Sequence, residues 1–167
     1  MSSHSAVAVA NILIRYHRKK RIGVLNSRRI LKYVHIADVA CAETLKRRLV
    51  EDLTMSTRFG PFYESIMREV DVFGNAEISC EITQKRYSID GEFEGYFMPL
   101  IEETALIQLI HGVYDSFCQL SDKEMLDVVL MSEMPWALAQ TEESIYIKRK
   151  HIERAALQLF KEKGISV

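Results

Sequence analysis

The chain has 167 residues, 48% of them hydrophobic, enough for one globular domain with a real core. No apolar run approaches the roughly 20 residues of a membrane span. Three widely spaced cysteines, Cys41, Cys80 and Cys118, cannot all pair, so they read as buried reduced thiols of a cytoplasmic protein and not as a disulfide scaffold. The short patch after Ser2-Ser3-His4-Ser5 leads into a helical pattern, so no cleaved signal peptide is expected. The net charge of −1 hides a segregation: residues 1–50 carry a net +9, residues 51–147 a net −14 and residues 148–167 a net +4. Such asymmetry speaks about partners more than about fold.

Ala6 to about Arg18 predicts a helix, because Val9, Ile12, Leu13 and Tyr16 recur at i, i+3, i+4 and i+7. It runs into the cations of His17-Arg18-Lys19-Lys20-Arg21, which complement a helix C-terminus, and Gly23 offers a stop. Asn26 and Ser27 can cap a second helix, about Ser27 to Leu49, with Ile30, Leu31, Val34, Ala37, Cys41 and Leu45 on one face. Arg28, Arg29 and Lys32 sit near its positive end, which calls for a partner or a neighbouring acid to compensate them. Residues 53–59 read as extended or irregular. Pro61 suits the first turn of a third helix, with Phe62, Ile66, Val70 and Phe73 on one face and Gly74-Asn75 at its end.

The character changes over residues 76–97. Glu77-Ile78-Ser79-Cys80-Glu81-Ile82 alternates, and Asp90-Gly91 lies between β-forming residues, so a small inserted antiparallel sheet of two or three strands is predicted. Beyond Pro99, Leu106, Leu109, Ile110, Val113 and Phe117 mark a helix. Ser121 and Glu124 match a capping box for the next helix, which ends before Pro135. Residues 137–146 form a connection of undefined shape. About Lys148 to Lys163 is a last amphipathic helix, with Gly164 as its stop. The fold class is mainly α: one domain over residues 1–167, of about six helices with the β insertion.

Several strings stand in a telling order: Arg29-Ile30-Leu31-Lys32-Tyr33-Val34-His35-Ile36-Ala37-Asp38, then Phe59-Gly60-Pro61, then Leu120-Ser121-Asp122-Lys123-Glu124-Met125, then Glu133-Met134-Pro135-Trp136. Over about residues 5–160 the chain resembles the SocA-like Panacea domain, an antitoxin domain often found near prophage genes. His35 replaces the usual Tyr or apolar residue, Phe62 replaces a common Val, and the insertion at 76–97 is longer and more β-like than usual. The resemblance implies an antitoxin that neutralises a cognate toxin by direct protein–protein contact. Some members resemble adaptors that hand a toxin to a protease, which makes a protease a second implied partner. Tyr33, Ala37, Asp38, Phe59, Gly60, Pro61, Ser121, Glu124, Pro135 and Trp136 are then the structural signature.

No catalytic set competes with this reading. HExxH, CxxC and any His/Cys cluster are missing, so no metal is expected, and no glycine-rich loop supports a nucleotide cofactor. His35 and Asp38 are i, i+3 neighbours and read as a local polar pair. A non-enzyme is expected. The acidic middle is the favoured contact region: Glu81, Asp90, Glu92 and Glu94 would steer toward a basic cleft, while Tyr63, Phe93 and Tyr96 would anchor. The alternative is a nucleic-acid-binding regulator that uses the basic N- and C-terminal segments, 17–21, 46–48 and 148–151.

Overall fold

The computed structural model describes residues 4–22, 25–73, 80–81, 86–87 and 101–162, with the backbone alone at 70–73, 80–81, 86–87 and 156–162. The order is α1 (Ala6–Lys20), α2 (Ser27–Thr44), β1 (Thr54–Thr57), β2 (Gly60–Tyr63), α3 (Glu64–Phe73), β3 (Cys80–Glu81) and β4 (Arg86–Tyr87). Then follow α4 (Thr104–Phe117), α5 (Asp122–Val129), α6 (Pro135–Thr141), β5 (Tyr146–Ile147) and α7 (Arg149–Glu162). The fold is mainly α with a small antiparallel sheet, as expected, and the described residues hold one helix more than the sequence suggested, α6.

Helix α2 is the axis. Apart from Arg28 it is buried from Ser27 to Ala42, because α1, α4, α5 and α7 surround it. The small residues Ala37, Ala40, Cys41 and Ala42 let those helices approach closely. Large side chains such as Ile30 and Tyr33 fill the remaining space, each contributing roughly 1.5–3 kcal/mol of burial. Asn26 caps α2 by accepting from the Arg29 amide at 2.9 Å. The cationic first turn finds the acid it calls for: Arg29 is buried and its Nη1 lies 3.1 Å from Asp122 of α5.

Two predicted boundaries move. Helix α1 stops at Arg21, which adopts a left-handed cap (φ 53°) and donates its amide to His17 O at 2.7 Å, ahead of Gly23. Helix α2 ends at Thr44 and not near Leu49; Leu45 lies past the end and is partly exposed. The cause is Asp38, whose Oδ1 accepts from the amides of Leu49 (2.8 Å) and Val50 (3.2 Å). Those amides are drawn back against the helix and cannot continue it. The N-terminus joins the same corner. His4 bridges Val50 in parallel, and Asp52 accepts from the Ala6 amide at 2.7 Å.

The larger correction concerns residues 53–63. They form a tight hairpin, β1–β2, and Pro61 is a strand residue and not the first turn of a helix. Strand β1 pairs on its other side with β5, giving the order β2-β1-β5. The insertion contributes a separate two-residue antiparallel ladder, Cys80–Glu81 with Arg86–Tyr87, and the turn expected at Asp90-Gly91 lies outside the described residues. Asp90, Glu92, Phe93, Glu94 and Tyr96 lie outside the described residues.

Candidate functional site

Beneath the hairpin lies a buried polar node. Asp38 is fully buried, and Arg48 spans its carboxylate, with Nε at 3.0 and 2.8 Å from the two oxygens and Nη2 at 2.6 Å from Oδ2. With the two amides this makes a fully engaged carboxylate, the arrangement that keeps a buried charge tolerable. One turn earlier, His35 is also fully buried; its Nδ1 sits 3.5 Å from the Tyr63 hydroxyl and its Nε2 has no hydrogen-bond partner. Burial, helped by the charge of Arg48, pushes the His35 pKa down to about 3, so the ring is neutral. Burial likewise holds the Tyr63 phenol well above its ordinary value. His35 and Asp38 therefore each face another element; they do not form the local pair expected from their spacing.

Above this node the hairpin turns at Arg58-Phe59. Gly60 follows with φ +106°, a backbone geometry that favours glycine. Thr57 closes the turn: its hydroxyl donates to Gly60 O at 2.8 Å and accepts from the Phe59 amide at 3.3 Å. From outside, Trp136 Nε1 donates to Thr57 O at 2.6 Å, and Gln140 Nε2 donates to Ser56 Oγ at 2.6 Å. Pro135 starts the α6 helix that carries both side chains, with no backbone N–H to leave unsatisfied there. Helix α5 supports Gly60 through Leu126 and Val129, and α5 is itself started by the Ser121–Glu124 capping box. Three of the four separated sequence strings thus meet at one turn, and the fourth lies beneath it through His35 and Tyr63.

The turn presents a large apolar side chain to solvent. Phe59 is 62% exposed, and the Arg58 guanidinium lies over its ring at 4.6 Å. Alternation puts Thr54, Tyr63 and Ile147 inward. Their neighbours Met55, Phe62 and Tyr146 form a cross-strand row on the other face. Leu53, at 72% exposure, and Ile145, at 65%, flank β1 and β5. Among the described residues, four of the five exposed large hydrophobics, Leu53, Phe59, Ile145 and Tyr146, lie on or beside this sheet.

The predicted contact residues fare differently. Tyr63 is in the core and not on the surface, because residue 63 belongs to a strand and shares the inward face with Thr54. Glu81 is placed in β3 opposite Arg86. The other five lie outside the described residues. Tyr33 and Ala37 are core, with Tyr33 stacked on Tyr114 at 5.5 Å. Phe59, placed in the structural signature, projects from its turn into solvent. Arg48 was read only within the basic run 46–48 and Arg58 only as the residue leading into Phe59-Gly60-Pro61, and Ile145 was not singled out; Thr57 before a two-residue turn and a glycine was the local sign.

The basic segments do not gather on one face. The end of α1 meets α4 and the start of α2: His17 Nδ1 lies 2.7 Å from the Tyr114 hydroxyl, and Tyr16 donates to Asp115 at 2.7 Å. The start of α7 directly follows β5, and its Glu153 acts electrostatically on Arg48, which lies just past the far end of α2. Most cations of the two later runs are engaged by this chain's own acids: Lys46 by Glu43, Arg47 by Glu103, Arg48 by Asp38, Arg149 by Glu153, and Lys150 and His151 by Glu142. Among the described residues no cluster of three His, Cys, Asp or Glu is placed to hold a metal ion, and no helix is long and apolar enough to cross a membrane.

Comparison with family models, with curated proteins and with solved structures gives no match to this chain.

Proposed function

We propose that this chain is an antitoxin, which neutralises a cognate toxin by direct protein–protein contact made around the Phe59 turn. The observation that carries this reading is a rigid turn, held by Thr57, Trp136, Gly60 and α5, that spends its order on exposing an aromatic ring. Order without burial is costly unless a partner uses it, and preorganised aromatic and arginine side chains are the common anchors of protein interfaces. The resemblance to Panacea domains supports the same reading, since three of its strings meet at this turn. The acids Asp90, Glu92 and Glu94 are retained as the steering element. Delivery of the toxin to a protease is the second step some Panacea-like proteins suggest. The nucleic-acid alternative draws less support, because its basic segments sit at opposite ends of α2 and are largely engaged internally.

The test is co-expression with the product of the neighbouring reading frame. Wild-type chain should restore growth; Phe59→Ser should fail to do so while its circular dichroism and melting stay unchanged. Reversal of Asp90, Glu92 and Glu94 to Lys should slow association, most at low salt. Full protection by both variants refutes the reading.

A further inference from the structure

We infer that the Arg58–Phe59 turn is a docking surface for a protein segment that carries a carboxylate beside an aromatic or aliphatic side chain; this rests on the proposed function and names the chemistry of its partner.

Charge complementarity selects that occupant. Arg29, Arg47, Arg48, Arg68 and Arg149 are each engaged by a carboxylate of this chain. Arg58 differs: among the described residues, the contact shown for it is the Phe59 ring. An arginine resting on an aromatic face keeps its outward N–H donors and its charge, while its position is already restricted. It therefore offers a bidentate site to an incoming carboxylate at little further ordering cost.

Exposed apolar side chains lie close to that site. Phe59 projects at the tip, and Ile145 lies against Ser56 on the neighbouring strand, its carbonyl accepting from the Ser56 amide at 2.7 Å. Tyr146 and Leu53 continue the exposed surface away from the tip along β1 and β5. A partner that buried these side chains against charge alone would leave them unmatched, and one that was purely apolar would strand the Arg58 cation. A segment with a carboxylate at Arg58 and apolar side chains toward Ile145 and Tyr146 meets both demands. The opposite sheet edge is less suited to strand addition, because Pro61 removes a backbone donor from β2.

Selection from a display library of short random peptides tests this directly. The baits are the full wild-type chain, Arg58→Glu and Phe59→Ser. Wild type should enrich Asp or Glu adjacent to aromatic or aliphatic residues. Arg58→Glu should enrich Lys or Arg in the same positions and bind the wild-type-selected peptide about tenfold more weakly. Phe59→Ser should enrich no such motif. The emission of Trp136, whose indole holds the turn, reports whether each bait keeps its fold. Wild-type selection without acidic enrichment, no selected peptide at all, or the same motif from Arg58→Glu overturns the inference. Acidic selection without toxin rescue would remove the antitoxin reading and leave this surface standing. Rescue that depends on Phe59 while selection ignores charge would do the reverse.

Discussion

His35→Leu isolates one buried group and gives a signed prediction for stability against pH. His35 is fully buried with a pKa near 3, against 6.5 for an exposed histidine. Below pH 6.5 the unfolded chain takes up a proton that the folded chain refuses. Stability therefore falls with decreasing pH from 6.5 until the folded pKa is reached. The full window of about 3.5 pH units corresponds to about 5 kcal/mol, and the portion between about pH 7.5 and about pH 5 to roughly 2 kcal/mol. Leucine has similar bulk and no charge to refuse. Its loss of the 3.5 Å approach to Tyr63 is offset by removing the unpartnered Nε2, so near neutral pH the change should stay within about 1 kcal/mol. Urea unfolding at the two pH values is the assay. The wild type should lose roughly 2 kcal/mol more than His35→Leu on going to the lower pH. The comparison cancels His111, whose pKa is also lowered by burial, and the carboxylates. Equal losses in the two proteins would refute the placement of a neutral, water-excluded imidazole under the hairpin.

Other outcomes follow from the same geometry. Asp38→Ala strands Arg48 and two amides, so it should cost about 3–5 kcal/mol in urea unfolding, and Asp38→Asn less. Gly60→Ala meets ordinary contacts at 3.6 Å from Val129 but a φ of +106°, so strain of about 1–3 kcal/mol should lower its melting temperature. Trp136→Phe keeps the ring and loses the bond to Thr57; about 1 kcal/mol should go, with faster amide exchange at Phe59 as the readout. Glu142 is held at a pKa of about 2 by Lys150 and then His151, so its stabilising effect is present above pH 4.5 and lost as pH falls toward 2. Glu142→Gln should flatten that part of the acid unfolding curve.

Legibility varied with how local each decision was. The periodic stripe of α4, the Ser121 capping box and the Asn26 cap were all readable, because each depends on residues within one or two turns. The hairpin at 54–63 was not. Pro61 fits the first turn of a helix as well as an edge strand, and Arg58-Phe59 lacks the Asn-Gly or Asp-Gly signal of a tight hairpin. Pairing with β5, about ninety residues later, settled it. That choice also turned Tyr63 inward and Phe59 outward, reversing the roles their neighbours in sequence suggested.

What the sequence by itself determined was the helical class, most of the helix starts and the ordered strings that resemble a Panacea domain, since 3.6-residue periodicity and caps are short-range. Only the tertiary structure decided which carboxylate ends α2, which histidine is starved of water and which arginine rests on an exposed aromatic ring. Burial and pairing are set by residues far apart in the chain. Arg48 and Arg58 are the same amino acid ten positions apart: one is consumed by Asp38 in the core, and the other rests on Phe59 in solvent.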